Sequence, residues 1–106
     1  MKYTVVFTPE AEEQLAELYR YIARSSSPDI AAKYTGGIVD YCEELQTLPH
    51  RGVLREDIRP GLRILGYRRR VAIAFEVDGS QVSIIGVFYG GQSYEILLSD
   101  EDVNSS

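Results

Sequence analysis

Seven arginines lie within one twenty-residue stretch of a chain that is acidic overall. The stretch, residues 51–70, also contains Glu56 and Asp57, so its formal charge is 7 − 2 = +5, and the rest of the chain must carry −10 to reach the total of −5. The stretch contains no lysine, and the planar guanidinium group is better suited to bidentate contacts than an ammonium group. The pattern therefore predicts a surface that meets phosphate, carboxylate or an acidic protein. The seven are Arg51, Arg55, Arg59, Arg63, Arg68, Arg69 and Arg70.

The length and composition of the chain are those of one globular domain. Its 106 residues match a common domain size, and 44% hydrophobic with 25% charged residues is ordinary usage. We expect a single domain over residues 1–98 and a flexible acidic tail over residues 99–106. The single Cys42 excludes an internal disulfide and a cysteine-based zinc site, and no apolar run approaches the length of a membrane span. A cytoplasmic protein without a cofactor or a bound metal is therefore predicted.

Two helix-start signals predict a helical hairpin in the first half of the chain. Thr8-Pro9 and Ser27-Pro28 each place a capping hydroxyl before a proline, which is typical of a helix start. The first helix should run to about residue 25, and the second should end before Pro49. Gly36-Gly37 in the second helix predicts either a close approach of the first helix or a kink. The apolar stripe expected on the second helix consists of Ile30, Tyr34, Ile38, Tyr41, Cys42, Leu45 and Leu48.

In the second half of the chain the hydrophobic period changes to two, which is typical of strands. Residues 71–77 alternate, and Asp78-Gly79 predicts a tight hairpin into a last strand over residues 82–89. Residues 62–67 should form a further strand, which the turn Arg59-Pro60-Gly61 opens. With a first strand at residues 3–7, the predicted fold class is α+β, a helical hairpin packed on a mainly antiparallel sheet in the order β-α-α-β-β-β. The last strand is apolar on both faces, so we expect it in the middle of the sheet. Strict alternation places Val82, Ile84, Gly86 and Phe88 on one of its faces and Ile85, Val87 and Tyr89 on the other.

The alternation also predicts a hollow on one face of the sheet. If Val71, Ile73 and Phe75 pack on the helices, Ala72 and Ala74 line the opposite face, and their small side chains leave space there. A hollow rimmed by arginines and tyrosines suits a partner segment or a nucleic-acid backbone. The alternative is that the arginines only keep a sheet edge soluble and pair loosely with nearby acids.

Several segments of the strand region form a specific succession. Residues 57–63 (DIRPGLR) are followed by Tyr67, by the strand at 71–77 and by residues 88–92 (FYGGQ). This succession closely resembles the ParE branch of the RelE/ParE toxin superfamily, which includes plasmid stabilisation proteins, and residues 8–11 (TPEA) add to the resemblance. The resemblance implies a bacterial toxin of a type II toxin–antitoxin pair. It also implies a cognate antitoxin, of ribbon-helix-helix or similar DNA-binding type, whose C-terminal segment wraps the toxin.

Two activities compete within that superfamily. RelE-like members cleave messenger RNA on the ribosome, whereas ParE-like members act on DNA gyrase or another type II topoisomerase and need no chemistry of their own. RNA cleavage by the 2′-hydroxyl needs a proton acceptor, a donor for the leaving oxygen and positive charge on the phosphate. The only histidine, His50, lies at the predicted helix-to-sheet junction, and an ordinary tyrosine titrates at about 10. A ribonuclease would have to use Arg63, Arg69 and Tyr89, so the sequence favours a gyrase inhibitor that is not an enzyme.

The charge pattern and the resemblance together assign two contact surfaces. The pI of about 4.8 argues against direct binding of nucleic acid. A degenerate toxin that only binds its antitoxin is the third possibility. The residues expected to contact the target are Arg59, Arg63, Arg68, Arg69, Arg70, Tyr89, Gln92 and Tyr94. The residues expected to contact the antitoxin are Tyr19, Tyr34, Tyr41, Ala72 and Ala74.

Overall fold

Two helices pack on one face of a five-stranded sheet in the computed structural model, which describes residues 2–90. The elements are β1 (Thr4–Phe7), α1 (Pro9–Ser25), α2 (Pro28–Glu43), a 3-10 turn (Glu44–Gln46), β2 (Val53–Leu54), β3 (Leu62–Tyr67), β4 (Val71–Asp78) and β5 (Gln81–Tyr89). The predicted α+β class and the helical hairpin on a mainly antiparallel sheet are confirmed. The prediction missed β2, because two residues are too few to show a period of two. The expected tail at 99–106 lies outside the described residues.

Both helices begin where the sequence predicts. The hydroxyl of Thr8 accepts a hydrogen bond from the N–H of Ala11 at 3.2 Å, and the hydroxyl of Ser27 accepts one from the N–H of Ile30 at 3.1 Å. Each bond satisfies an N–H that the first helical turn leaves without a partner, which is worth about 1 kcal/mol. The short connection between Ser25 and Pro28 makes the helices antiparallel neighbours.

The sheet has the strand order β1-β5-β4-β3-β2, with β1 parallel to β5 and the remaining pairs antiparallel. Strand β5 is paired on both sides, as its two apolar faces predicted. In the register, Val71 lies between Tyr67 and Tyr89. The loop that joins β3 to β4 and the end of β5 therefore lie at the same end of the sheet.

The side of α2 that faces the core differs in part from the predicted stripe. Ala31, Ile38 and Cys42 are fully buried and follow one line along the helix. Ile30 is 51% exposed because it lies about 100° around the helix from that line. Leu48, which follows the 3-10 turn, is 56% exposed, so the prediction is wrong at both ends of the stripe.

The close approach at the paired glycines of α2 involves the sheet and not the first helix. A Cβ atom added to Gly37 would overlap the hydroxyl of Tyr67, which lies at the end of β3. A Cβ atom added to Gly36 would have no heavy atom within 4 Å. The expectation of an approach by α1 is therefore wrong, and Gly37 accommodates a tyrosine of the core.

A β-bulge in β5 changes which side chains face the helices. Ala74 pairs with Gly86 while Phe75 pairs with Ile84, so Ile85 is the extra residue. Beyond the bulge the alternation is reversed, because one inserted residue exchanges the two faces of a strand. Phe88 therefore lies on the face away from the helices, and the predicted grouping of Phe88 with Val82 and Ile84 is wrong.

The predicted hollow is largely filled as a result. Phe88 packs with Leu62 and Ala74 in a second, smaller core, and Ala74 is 0% exposed. Ala74 is therefore not available for the antitoxin contact that the sequence assigned to it. A depression of about 190 Å³ remains beside Ala72, at the end of the sheet that carries Arg69 and Arg70.

Candidate interaction surfaces

The side chains of Arg51 and Arg55 donate hydrogen bonds to acidic residues and to a tyrosine of the same chain. The guanidinium of Arg51 donates to the carboxylate of Glu44 at 3.0 Å and to the hydroxyl of Tyr41 at 3.2 Å. Arg55 donates to both carboxylate oxygens of Asp57 at 2.9 Å, which is the bidentate geometry that arginine favours. The hydrogen bonds from Arg55 hold the pKa of the Asp57 carboxyl below its ordinary value. These two arginines fit the reading in which basic residues pair with nearby acids.

Arg59 and Arg63 also make contacts within the chain, at the start of β3. The Arg59 guanidinium lies 3.2 Å from the carboxylate of Glu76 on β4. The Arg63 guanidinium donates to the backbone carbonyl of His50 at 2.9 Å. The side chain of Arg63 thereby ties β3 to the segment that follows the helices.

Arg68, Arg69 and Arg70 form the loop between β3 and β4, which we call the arginine loop. All three residues are exposed, and none forms an ion pair with a residue in the described range 2–90. The guanidinium of Arg68 lies over the ring of Tyr67, 5.4 Å from its centroid. The arginine loop is therefore the part of the basic stretch whose charge the described part of the chain leaves uncompensated.

The backbone of the arginine loop is unusual for its residue types. The N–H of Arg70 donates to the carbonyl of Tyr67 at 3.2 Å, and the two residues between them have positive φ angles, 51° at Arg68 and 63° at Arg69. Two consecutive positive φ angles are the mark of a type I′ turn, in which asparagine and glycine are strongly preferred. Arginine in both places holds the backbone in a conformation that costs energy.

The basic stretch is thus divided between the two ends of β3. Arg63 and Arg68 are separated by five residues of extended chain, which is roughly 17 Å. The sequence analysis assigned Arg59, Arg63 and the three residues of the arginine loop to one target surface, and the structure does not bring these groups together. Of the residues assigned to the target, Gln92 and Tyr94 lie outside the described residues.

The ring of Tyr89 packs with aromatic side chains on the helix side of the sheet. Its ring contacts those of Tyr21 and Tyr34, with centroid distances of 5.9 and 6.3 Å. Arg63, Arg69 and Tyr89, the three residues that a ribonuclease would need, therefore do not converge, since Arg63 lies at the far end of β3. Within residues 2–90 the structure assembles no group of three or more histidine, cysteine or acidic side chains that could hold a metal ion.

Tyr34 and Tyr41 belong to an aromatic cluster under the helices. Each contacts the ring of Tyr67, with centroid distances of 5.8 and 5.2 Å. Burial, together with the neighbouring Tyr89 and Tyr67, raises the pKa of Tyr34, whose hydroxyl is enclosed without a hydrogen-bond partner in the described part of the protein. Both tyrosines are half-buried, so they offer an antitoxin less surface than the sequence suggested.

The outer face of the helical hairpin carries an apolar groove, which we call the helix groove. It has a volume of about 370 Å³, and Tyr19 at its wall is 37% exposed. The sequence analysis identified Tyr19 but missed the other residues that line the groove. Small residues on the facing sides of two neighbouring helices were a signal that could have identified them. The groove is lined by Leu15, Ala16, Tyr19, Ala32, Thr35, Gly36 and Val39.

The elements described above form a small two-layer α+β protein, with helices on one face of a sheet. Over the described residues, no helix is both long and apolar enough to span a membrane. The toxin–antitoxin complex RelBE2 from Mycobacterium tuberculosis contains a chain with a similar fold, with a TM-score of 0.57, 23% identity, and coverage of 84% of this chain and 99% of that one. The chromosomal ParDE toxin–antitoxin system from P. aeruginosa gives a TM-score of 0.74 and 24% identity, with coverage of 84% of this chain and 97% of that one.

The sequence comparison identifies the family. The family described as ParE toxin of type II toxin–antitoxin system, parDE, matches residues 5–94. No curated protein matches the chain. Because the match covers most of the chain, the protein belongs to the ParE toxins of type II toxin–antitoxin systems, as the succession of motifs in the strand region indicated.

Proposed function

We propose that this ParE-type toxin inhibits DNA gyrase or another type II topoisomerase by binding it through the arginine loop, without catalysing a reaction. The observation that carries the proposal is the presence of arginine at both positive-φ positions of the turn. Asparagine and glycine would adopt these φ angles with less strain. The positive charge of the two arginines therefore costs the folded state some stability. Strain that a fold could avoid is characteristic of functional positions. Three exposed guanidinium groups suit an acidic surface of a protein partner.

The competing ribosome-dependent ribonuclease activity has less support. It requires a proton acceptor and a proton donor close to the cationic groups that hold the phosphate. Arg63 is separated from the arginine loop by the length of β3, and the ring of Tyr89 packs against Tyr21 and Tyr34. The proposed toxin therefore acts by binding.

We further propose that a cognate antitoxin, of ribbon-helix-helix or similar DNA-binding type, neutralises the toxin by docking in the helix groove. The solved structures with the same fold come from toxin–antitoxin systems, which supports such a partner. Apolar surface between two helices fits the apolar face of an amphipathic segment. Tyr19 remains a proposed contact, Ala72 is a proposed contact at the sheet end, and both partners would be met in the cytoplasm.

A supercoiling assay with purified gyrase tests the target. The natural protein should inhibit supercoiling, and the variant Arg68→Asn/Arg69→Gly, which keeps residues suited to the turn, should require at least a tenfold higher concentration. The matched control Arg24→Gln/Lys33→Gln removes two charges from exposed helical positions and should inhibit within twofold of the natural protein. Unaltered supercoiling at a large excess of the natural protein would contradict the proposal, and cleaved messenger RNA in cells that express it would favour the ribonuclease.

The antitoxin proposal is tested separately with the cognate antitoxin, to be sought as the product of a short reading frame adjacent to the toxin gene. Ala32→Leu fills the helix groove and should weaken the complex at least tenfold in a calorimetric titration. Glu13→Leu adds a similar side chain to α1 away from the residues that line the groove, and it should leave the affinity within twofold. Equal affinity of both variants would place the antitoxin elsewhere.

A further inference from the structure

The arginine loop is an exposed cationic surface that forms no ion pair with a residue in the range 2–90. The other four arginines of the basic stretch donate to Glu44, Asp57 and Glu76 or to the carbonyl of His50. Arg20 on α1 pairs with Glu13. Three adjacent cations that pair with no acid among residues 2–90 repel one another, so an anionic group placed among them gains energy from all three.

The helix layer is unsuited to an acidic ligand. Helices α1 and α2 together carry seven acidic and three basic residues, which gives 3 − 7 = −4. An acidic segment would therefore be repelled by the helix layer and attracted to the end of the sheet that carries the arginine loop.

The chain leaves the sheet beside this loop, and its sequence carries an acidic segment further along. The N–H of Gly90, the residue after β5, donates to the carbonyl of Arg70 at 2.9 Å, so the polypeptide leaves the sheet directly beside the loop. Ten residues further along, the sequence reads Asp100-Glu101-Asp102, which we call the acidic segment. Ten residues of extended chain span up to roughly 33 Å, which is more than enough to return to the loop. A tether of this length gives an effective concentration on the order of millimolar.

We propose that the acidic segment docks on the arginine loop of the same chain. Three carboxylates meet three guanidinium groups, and both sets are consecutive in the sequence. The regulatory consequence rests on the proposed function. If the loop binds the target, the acidic segment competes with that target and reduces the activity of the free toxin. Exposed ion pairs are weak, so neutralising the segment should lower the inhibitory concentration about three- to tenfold.

The contact can be measured in the full chain without a target. A nitroxide is attached to Ser105→Cys, three residues beyond the acidic segment. The native Cys42 does not compete for the label, because it is fully buried and burial raises its pKa to about 12. At low salt the label should broaden the amide NMR signals of the arginine loop and spare those of Gly79, at the opposite end of the sheet. The broadening should disappear in 1 M NaCl, where charges are screened beyond about 3 Å.

Charge variants decide whether the carboxylates cause the contact. In the labelled chain, Asp100→Asn/Glu101→Gln/Asp102→Asn should abolish the broadening. The control Glu12→Gln/Asp40→Asn/Glu43→Gln removes the same number of negative charges from the helices. This control should preserve the broadening. Broadening that survives in the first variant, that affects Gly79 equally, or that disappears on tenfold dilution as expected for contact between molecules would overturn the proposal.

The inhibition assay separates the contact from its consequence. If the first charge variant inhibits gyrase at a lower concentration than the natural protein, competition by the acidic segment is supported. If the contact is present but the inhibitory concentration is unchanged, competition is overturned while the contact stands. If no variant inhibits gyrase at all, the proposed function fails, and the labelling result still decides whether the acidic segment docks.

Discussion

The hydroxyl of Tyr67 on β3 occupies the space that a Cβ atom at Gly37 on α2 would take. The neighbouring Gly36 faces open space. Two adjacent glycines of one helix therefore serve different purposes. Gly37 lets α2 approach a ring that also contacts Tyr34 and Tyr41, and it anchors the helix over the end of the sheet that carries the arginine loop.

Gly37→Ala should destabilise the protein, because the added methyl group must displace Tyr67. Overpacking of this kind costs about 1–3 kcal/mol, from which the better helix propensity of alanine subtracts up to about 1 kcal/mol. Gly36→Ala is the matched control and should increase the free energy of unfolding in urea. The double variant Gly37→Ala/Tyr67→Phe should recover part of the loss. Equal stabilities of the two single variants would show that the contact with Tyr67 does not limit α2.

Relief of the strained turn should stabilise the protein while it weakens the toxin. The variant Arg68→Asn/Arg69→Gly places residues suited to positive φ at both positions, so the free energy of unfolding should rise by about 1–2 kcal/mol. Arg24→Gln/Lys33→Gln should change it by less than about 0.5 kcal/mol. Urea unfolding of the three proteins measures the effect. A loop variant that is less stable than the natural chain would mean that the arginines support the fold.

The side chain of Gln14 on α1 accepts a hydrogen bond from β5 at a point beyond the end of its neighbouring strand β1. The Gln14 Oε1 accepts from the backbone N–H of Val87 at 2.7 Å, beyond the point where β1 ends beside Ile84. Gln14→Leu leaves this part-buried N–H without an acceptor and should cost about 1–3 kcal/mol. Hydrogen exchange of the Val87 amide should accelerate accordingly, whereas the neighbouring Glu13→Leu should leave it unchanged. Unaltered protection of Val87 in the first variant would show that this bond is dispensable.

The pair of Arg55 and Asp57 predicts a defined dependence of stability on pH. Hydrogen bonds from Arg55 hold the pKa of the Asp57 carboxyl below its ordinary value of 3.8. The folded state therefore favours the carboxylate, and this stabilisation is present above about pH 4 and is lost as the pH falls through the lowered value. Unfolding of the natural protein and of Asp57→Asn between pH 7 and pH 3 should show a stability difference that is constant near neutrality and shrinks below pH 4. A difference that persists to pH 3 would contradict this.

Cys42 should be chemically inert in the folded protein. It is fully buried, and burial raises its pKa to about 12, so only about one thiol in ten thousand is ionised at pH 8. A disulfide reagent should react with the native protein at the rate of its unfolding and rapidly in urea. Ser105→Cys serves as the comparison with a cysteine outside the core. Rapid reaction of the native chain at a single thiol would show that α2 opens without global unfolding.

Local patterns in the sequence predicted the elements of the fold well. Thr8-Pro9 and Ser27-Pro28 carry the caps that begin the two helices. The alternation through 71–77 marks β4, and the Pro60-Gly61 turn marks the start of β3. These signals act between residues that are near one another in the chain, so one sequence is sufficient to read them. The clustering of arginine and the succession that resembles ParE toxins are likewise properties of the sequence alone.

The candidate site depended on contacts between distant segments. The bulge at Ile85 exchanged the faces of β5 and placed Phe88 where the sequence predicted a hollow, because one added residue reverses the alternation. The length of β3 separated Arg63 from the arginine loop, although they lie in one basic stretch. The sequence by itself determined the class of fold, the family and the positive charge. Only the tertiary structure decided which arginines are paired within residues 2–90 and which are not, since that depends on acids and carbonyl groups supplied by other elements.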